Sequence, residues 1–215
     1  MNSVQVGDAQ VTAAYDESPG ADTVFVCAHG AGGSFSDRST VASANAMREA
    51  GISVVRFNFL YRENKSSRPD AMPKCMAVIS AVVAQVRSEF APKKVLIGGR
   101  SMGGRAASML AAEGFDADGL VLLAYPLHPP GAPEKLRTAH LPDITMPVIA
   151  FCGTRDPFFT PALMEDALKT VKAPWEMRLV DGADHSFHVN KSSGKTDAQV
   201  MAEIARATAL WSASL

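Results

Sequence analysis

The chain is 215 residues long, 47% hydrophobic and 20% charged, with a formal net charge of -1. That length suits one domain, 1–215, able to bury a core without disulfide or metal staples. The balanced charge supplies no field to draw nucleic acid or an anionic membrane surface, which points to a small-molecule or peptide partner and leaves the oligomeric state open.

Met1 to Gln10 has no basic segment followed by an apolar run, and nothing approaches the roughly eighteen uninterrupted apolar residues of a spanning helix, so no membrane association is expected. Val4, Val6, Val11 and Ala13, spaced by two, predict a leading hairpin that turns at Gly7-Asp8. Thr23 to Ala28 is a continuous apolar run, the pattern of a strand covered on both faces. It ends in His29-Gly30-Ala31-Gly32-Gly33, whose glycines expose backbone N–H groups. A phosphate-binding loop would add a Lys and a Ser or Thr, which are lacking here, so the loop reads as an oxyanion hole built from the amides of Ala31 and Met102. His29 and Gly30 are also taken as substrate-facing.

Ile52 to Phe57 is a second strand, followed by Asn58, Phe59, Tyr61, Arg62, Lys65 and Arg68. Of these, Asn58, Tyr61 and Arg62 are the expected substrate contacts. The three cations could attract a carboxylate or phosphate, and a plain solvated loop is the competing reading. Ile79, Val82, Val83, Val86 and Phe90 recur at helical spacing.

Val95 to Ile97 then leads through Gly98-Gly99-Arg100-Ser101-Met102-Gly103-Gly104 into a helix-like run ending at Ala112. Gly-x-Ser-x-Gly at a strand-to-helix turn is the pattern that holds a serine hydroxyl proud of a parallel sheet, because residues flanking so sharp a turn collide unless small.

Leu120 to Ala124 is another strand, after which Leu127 and His128 are taken as pocket walls. The connection to the next strand is broken by Pro126, Pro129, Pro130, Pro142 and Pro147, too short and interrupted for a helical lid, so a site at Ser101 should be open and covered by loops alone. Val148 to Cys152 is followed by Gly153-Thr154-Arg155-Asp156-Pro157-Phe158. Trp175, Met177 and Leu179 alternate with Glu176 and Arg178, which suits a strand near a sheet edge, and Gly182-Ala183-Asp184-His185 follows. Ser192 to Lys195 reads as a loop before a last helix carrying Val200, Ile204 and Trp211. Together these elements predict an α/β fold: a mostly parallel sheet between helices.

A serine hydroxyl needs a base, an acid behind the base, and donors for the oxyanion. In an open parallel sheet the functional groups gather at the carboxyl ends of strands, and Asp156 and His185 stand on successive strand ends after Ser101. Ser101 as nucleophile, His185 as base and Asp156 as orienting acid are therefore the expected catalytic set. Asp184 is a back-up acid more naturally bound to local backbone. Cys27, Cys75 and Cys152 are far apart without Cys-x-x-Cys spacing, so neither a disulfide nor a metal site is expected, and reduced thiols suit the cytoplasm. No cofactor is needed for this chemistry.

The Gly-Arg-Ser-Met-Gly elbow, the His-Gly-Ala-Gly-Gly loop, Gly-x-x-Asp-Pro and Gly-x-Asp-His-x-Phe resemble the alpha/beta-hydrolase superfamily over residues 29 to 187. The compact lidless form is similar to dienelactone hydrolases, although these carry a cysteine where this chain has Ser101. Gly99 to Arg105 with Tyr125 to Gly131 looks most like the group of testis-expressed protein 30 and the KAT8 regulatory complex subunit 3. The resemblance implies a serine hydrolase that cleaves small ester or thioester substrates. A small-peptide hydrolase and a protein-binding scaffold on the same fold are the alternatives.

Overall fold

The structure, a computed structural model, describes residues 3–215. β1 (Ser3–Val6) and β2 (Ala9–Asp16) form the leading hairpin, with Gly7 turning at φ +58°. β3 (Thr23–Ala28), β4 (Ser53–Phe57), β5 (Lys94–Arg100), β6 (Gly119–Leu123), β7 (Val148–Gly153) and β8 (Trp175–Val180) follow. All eight lie in one sheet, in the order β1-β2-β4-β3-β5-β6-β7-β8. β1 and β2 pair antiparallel, and β3 to β8 run parallel.

Two apolar layers explain the continuous hydrophobic runs. Val24, Val26 and Ala28 of β3 face one layer while Phe25 and Cys27 face the other, and Leu120 and Leu122 of β6 are opposed to Val121 and Leu123 in the same way. Buried on both faces, such strands show no polar alternation. Helices α3 (Met72–Phe90) and α4 (Met102–Ala112) cover the first layer, together with Met164 of α5 (Pro161–Leu168). The second layer lies beneath α1 (Arg38–Glu49) and α6 (Asp197–Ala213), which pack on each other. A four-residue α2 (Leu60–Glu63) follows β4.

Of the predicted helix faces, Ile79, Val82, Val83 and Val86 on α3 and Val200 and Ile204 on α6 are buried, while Phe90 and Trp211 are half-buried against the two layers. β8 is an edge strand, opposite β1, with Leu179 exposed. The proline-rich connection after β6 carries a single 3₁₀ turn, Leu141–Asp143, and no lid. No helix among the described residues is long and apolar enough to cross a membrane. The three thiols are buried, and burial pushes Cys27 and Cys75 up to about 12, so neither is a ready nucleophile.

Candidate active site

β5 is the pivot of the site. It runs through Gly98 and Gly99 between β3 and β6 and then turns abruptly into α4, leaving Ser101 at φ +48° and ψ -115°. A non-glycine residue in this region is strained by about 1–3 kcal/mol and persists only where its surroundings over-determine it. Here they do. The Ser101 N–H donates to the Leu123 carbonyl at 2.9 Å, and Arg105 N–H donates to the Ser101 carbonyl at 2.9 Å. Gly103 makes the turn possible, since a Cβ there would lie 2.6 Å from the carbonyl oxygens of both Ala28 and His29.

Three strand ends bring the polar groups together. Asp156 follows β7, is 4% exposed, and its Oδ1 accepts the Phe158 N–H at 2.8 Å. Its other oxygen, Oδ2, lies 2.7 Å from His185 Nδ1, and His185 Nε2 lies 2.9 Å from Ser101 Oγ. Because a carboxylate only accepts, this network sets the neutral tautomer with the proton on Nδ1, leaving Nε2 to accept the serine proton. The His185 ring also packs on Phe158, with centroids 4.4 Å apart. Asp184 turns away: its Oδ1 accepts the N–H groups of Ser186 and His188 at 2.7 and 3.0 Å.

The His29–Gly33 loop runs past the serine, and a Cβ on Gly30 would stand 3.5 Å from Ser101 Cβ. The N–H groups of Ala31, in the loop, and of Met102, at the first position of α4, donate to no backbone or side-chain acceptor among the described residues. A helix N-terminus leaves its first amides free in this way. Ala31, Met102, Ser101 and His185 line one cavity of about 1480 Å³.

Of the seven residues expected to face substrate, only Gly30 lines that cavity. His29 is buried, with Nδ1 2.7 Å from the Gly30 carbonyl and Nε2 accepting the Phe59 N–H at 3.3 Å. Asn58 Oδ1 accepts the Phe35 N–H at 3.0 Å, and the Tyr61 hydroxyl accepts the Gly32 N–H at 3.2 Å. These three side chains brace the amide loop from behind, because the short turn after β4 folds beneath it. Leu127 is fully buried in the core, and His128 Nε2 is tied to Thr160 Oγ1 at 2.9 Å. Arg62 is half-buried outside the cavity, while Lys65 and Arg68 are exposed, as a solvated loop would have them. Tyr61→Phe is expected to lower kcat about fivefold with little change in KM, the effect of losing one hydrogen bond worth about 1 kcal/mol. Steady-state kinetics check it.

The walls also differ from the expectation of loops alone. Thr40, Ser43 and Ala46 of α1 and Asp197, Ala198 and Met201 of α6 form one flank, because the two helices pack together beside the serine. Three other contributors were not singled out in the sequence. Arg100, half-buried beside the serine, donates from Nη2 to the His185 carbonyl at 2.9 Å and holds the histidine loop. Arg105 and Arg137 also line the cavity. Arg100 stands inside the elbow motif and Arg105 directly after its last glycine, so their position was readable though their task was not.

Next to Arg105, burial and that positive charge pull His140 down to about 4. The unfolded chain takes up this proton near pH 6.5, and the folded chain only near pH 4. Stability is therefore fully present above pH 6.5 and is lost as pH falls through that window. Tm should drop from pH 6.5 to 4, and His140→Asn should flatten the drop; an equally steep fall in the variant would remove His140 as its cause.

Residues 21–213 match the family described as alpha/beta hydrolase domain. The chain belongs to the alpha/beta hydrolases. Solved structures similar to this hydrolase include a dienelactone hydrolase from Anabaena variabilis, at 21% identity over 97% of this chain and 94% of that one, with a TM-score of 0.76. A lidless alpha/beta serine hydrolase from Xanthomonas campestris matches at 22% identity over 97% and 93%, with a TM-score of 0.76. A Butyrivibrio proteoclasticus protein holding ferulic acid matches at 15% identity over 99% of both chains, with a TM-score of 0.78. At these identities the likeness is one of fold.

Proposed function

We propose that this alpha/beta hydrolase is a serine esterase or thioesterase that works through an acyl-enzyme. The observation that carries the reading is the unbroken hydrogen-bonded series from Ser101 Oγ to His185 Nε2, and from His185 Nδ1 to Asp156 Oδ2. Ser101 Oγ attacks the substrate carbonyl carbon while its proton passes to His185 Nε2, and Asp156 stabilises the imidazolium. The Ala31 and Met102 amides receive the oxyanion. A single such donor is worth on the order of 10²–10³ in turnover. The tetrahedral intermediate then expels the alcohol or thiol, which takes the His185 proton. Water, deprotonated by the same histidine, repeats the attack and releases the acid together with free Ser101.

The broad cavity without a lid domain favours small esters with ready access. Within the family, the grouping with testis-expressed protein 30 is supported by Gly99 to Arg105 and Tyr125 to Gly131. A cytoplasmic location fits the three unpaired thiols. A fluorophosphonate probe is expected to label Ser101, as read by peptide mass, and to fail on Ser101→Ala and His185→Ala protein. Labelling that persists in Ser101→Ala would end this reading.

A further inference from the structure

Among the described residues, Arg105 and Arg137 are two cations without a counter-ion. Arg105 lies four residues after Ser101, on the same face of α4, and its Nε is buried with no hydrogen-bond partner among the described residues. Arg137 reaches the same cavity from the proline-rich connection. Its backbone is fixed by N–H donation to the Leu127 carbonyl at 2.8 Å and by the Tyr125 hydroxyl, which donates to its carbonyl at 2.5 Å. Its guanidinium has one neutral partner, the Pro126 carbonyl at 3.2 Å from Nη1.

No ion pair among the described residues includes either arginine. The carboxylates that line the cavity lie on α1, its N-cap and α6. Asp37 is occupied by Ser34, and Asp197 by His188 and Val189. Exposed Glu49 ends α1 and pairs with neither arginine. Burial and the neighbouring Arg105 charge both pull Arg137 below its usual range. Bringing two guanidiniums together, one with a desolvated and unmatched Nε, costs stability. An anion that accepts from both removes that cost, and a guanidinium fork suits planar or tetrahedral oxyanions.

We infer that Arg105 and Arg137 form an anion subsite beside Ser101, so that the hydrolase acts on esters or thioesters whose acyl part bears a carboxylate or phosphate. This deepens the serine-hydrolase reading and rests on it. Arg62, Lys65 and Arg68 do not line this cavity.

Two measurements separate the subsite from the chemistry. In the first, glutarate and inorganic phosphate are titrated calorimetrically into Ser101→Ala protein, which needs no turnover. Binding of either is expected, weakened at least about tenfold by adding Arg105→Gln or Arg137→Gln, the loss of one charge-assisted hydrogen bond. The tighter of the two names the anion. In the second, the parent is expected to prefer the p-nitrophenyl monoester of glutarate over p-nitrophenyl butyrate in kcat/KM, and each variant should lower that ratio at least about tenfold. Arg105→Lys, which keeps the charge and the fold but loses the fork, should fall between. Absence of binding by both anions, or binding and selectivity ratios unmoved in the variants, overturns the subsite. Anion binding without fluorophosphonate labelling would instead leave the subsite standing and remove the hydrolase reading.

Discussion

Ser101→Ala protein is expected to lose on the order of 10⁶-fold in kcat on short acyl esters, the loss seen when the nucleophile of a cooperating Ser-His-Asp set is removed. The reason is geometric. His185 Nε2 stands 2.9 Å from a single hydroxyl, and Asp156 holds the other ring nitrogen, so without Oγ the base has nothing to activate but water. The measurement is initial rates over acyl chain lengths with the variant as blank, and a variant within tenfold of the parent would refute the assignment. A companion comparison isolates the strain. At φ +48° a Cβ is costly, so Ser101→Gly should unfold at a higher temperature than Ser101→Ala although both are inactive.

Gly99→Ala is expected to remove most of the stability of the fold. The parallel register sets Gly99 beside Ala28, and a Cβ on Gly99 would lie 2.1 Å from the Ala28 carbonyl oxygen and 2.6 Å from its nitrogen. Both obstacles are backbone atoms of the adjoining central strand, which cannot yield as a flexible side chain would. A loss above about 4 kcal/mol follows, against a total of about 5–15 kcal/mol for a typical domain. Gly114→Ala is the control: φ is +81° with nothing within 4 Å of the added methyl, so only conformational strain of about 1–2 kcal/mol applies. Denaturant titration of the two variants checks the pair, and similar midpoints would refute the close-approach argument.

The sheet was legible because the central strands carry long apolar runs, a consequence of the helices on both faces, with Ser53 and Arg56 of β4 and the Lys94 and Arg100 ends of β5 as the polar interruptions. Ser101, Asp156 and His185 were legible because loops at strand ends meet at one sheet edge, which makes linear order a proxy for position. Asn58 and Tyr61 misled for the same reason: they also follow a strand end, but their side chains turn under the glycine loop and accept its Phe35 and Gly32 amides. Leu127 and His128 went into packing and a Thr160 hydrogen bond, which depends on where the connection from Ala124 to Pro147 folds.

The sequence by itself determined the α/β architecture and which serine, acid and histidine stand at its strand ends, because those follow from local periodicity and turn chemistry. Only the tertiary structure decided what surrounds them. The α1 and α6 flank, Arg100 on the His185 carbonyl, and Arg105 and Arg137 without a counter-ion among the described residues all come from how distant segments pack. Whether a charge is neutralised depends on which atoms come within about 4 Å, and no spacing along the chain encodes that.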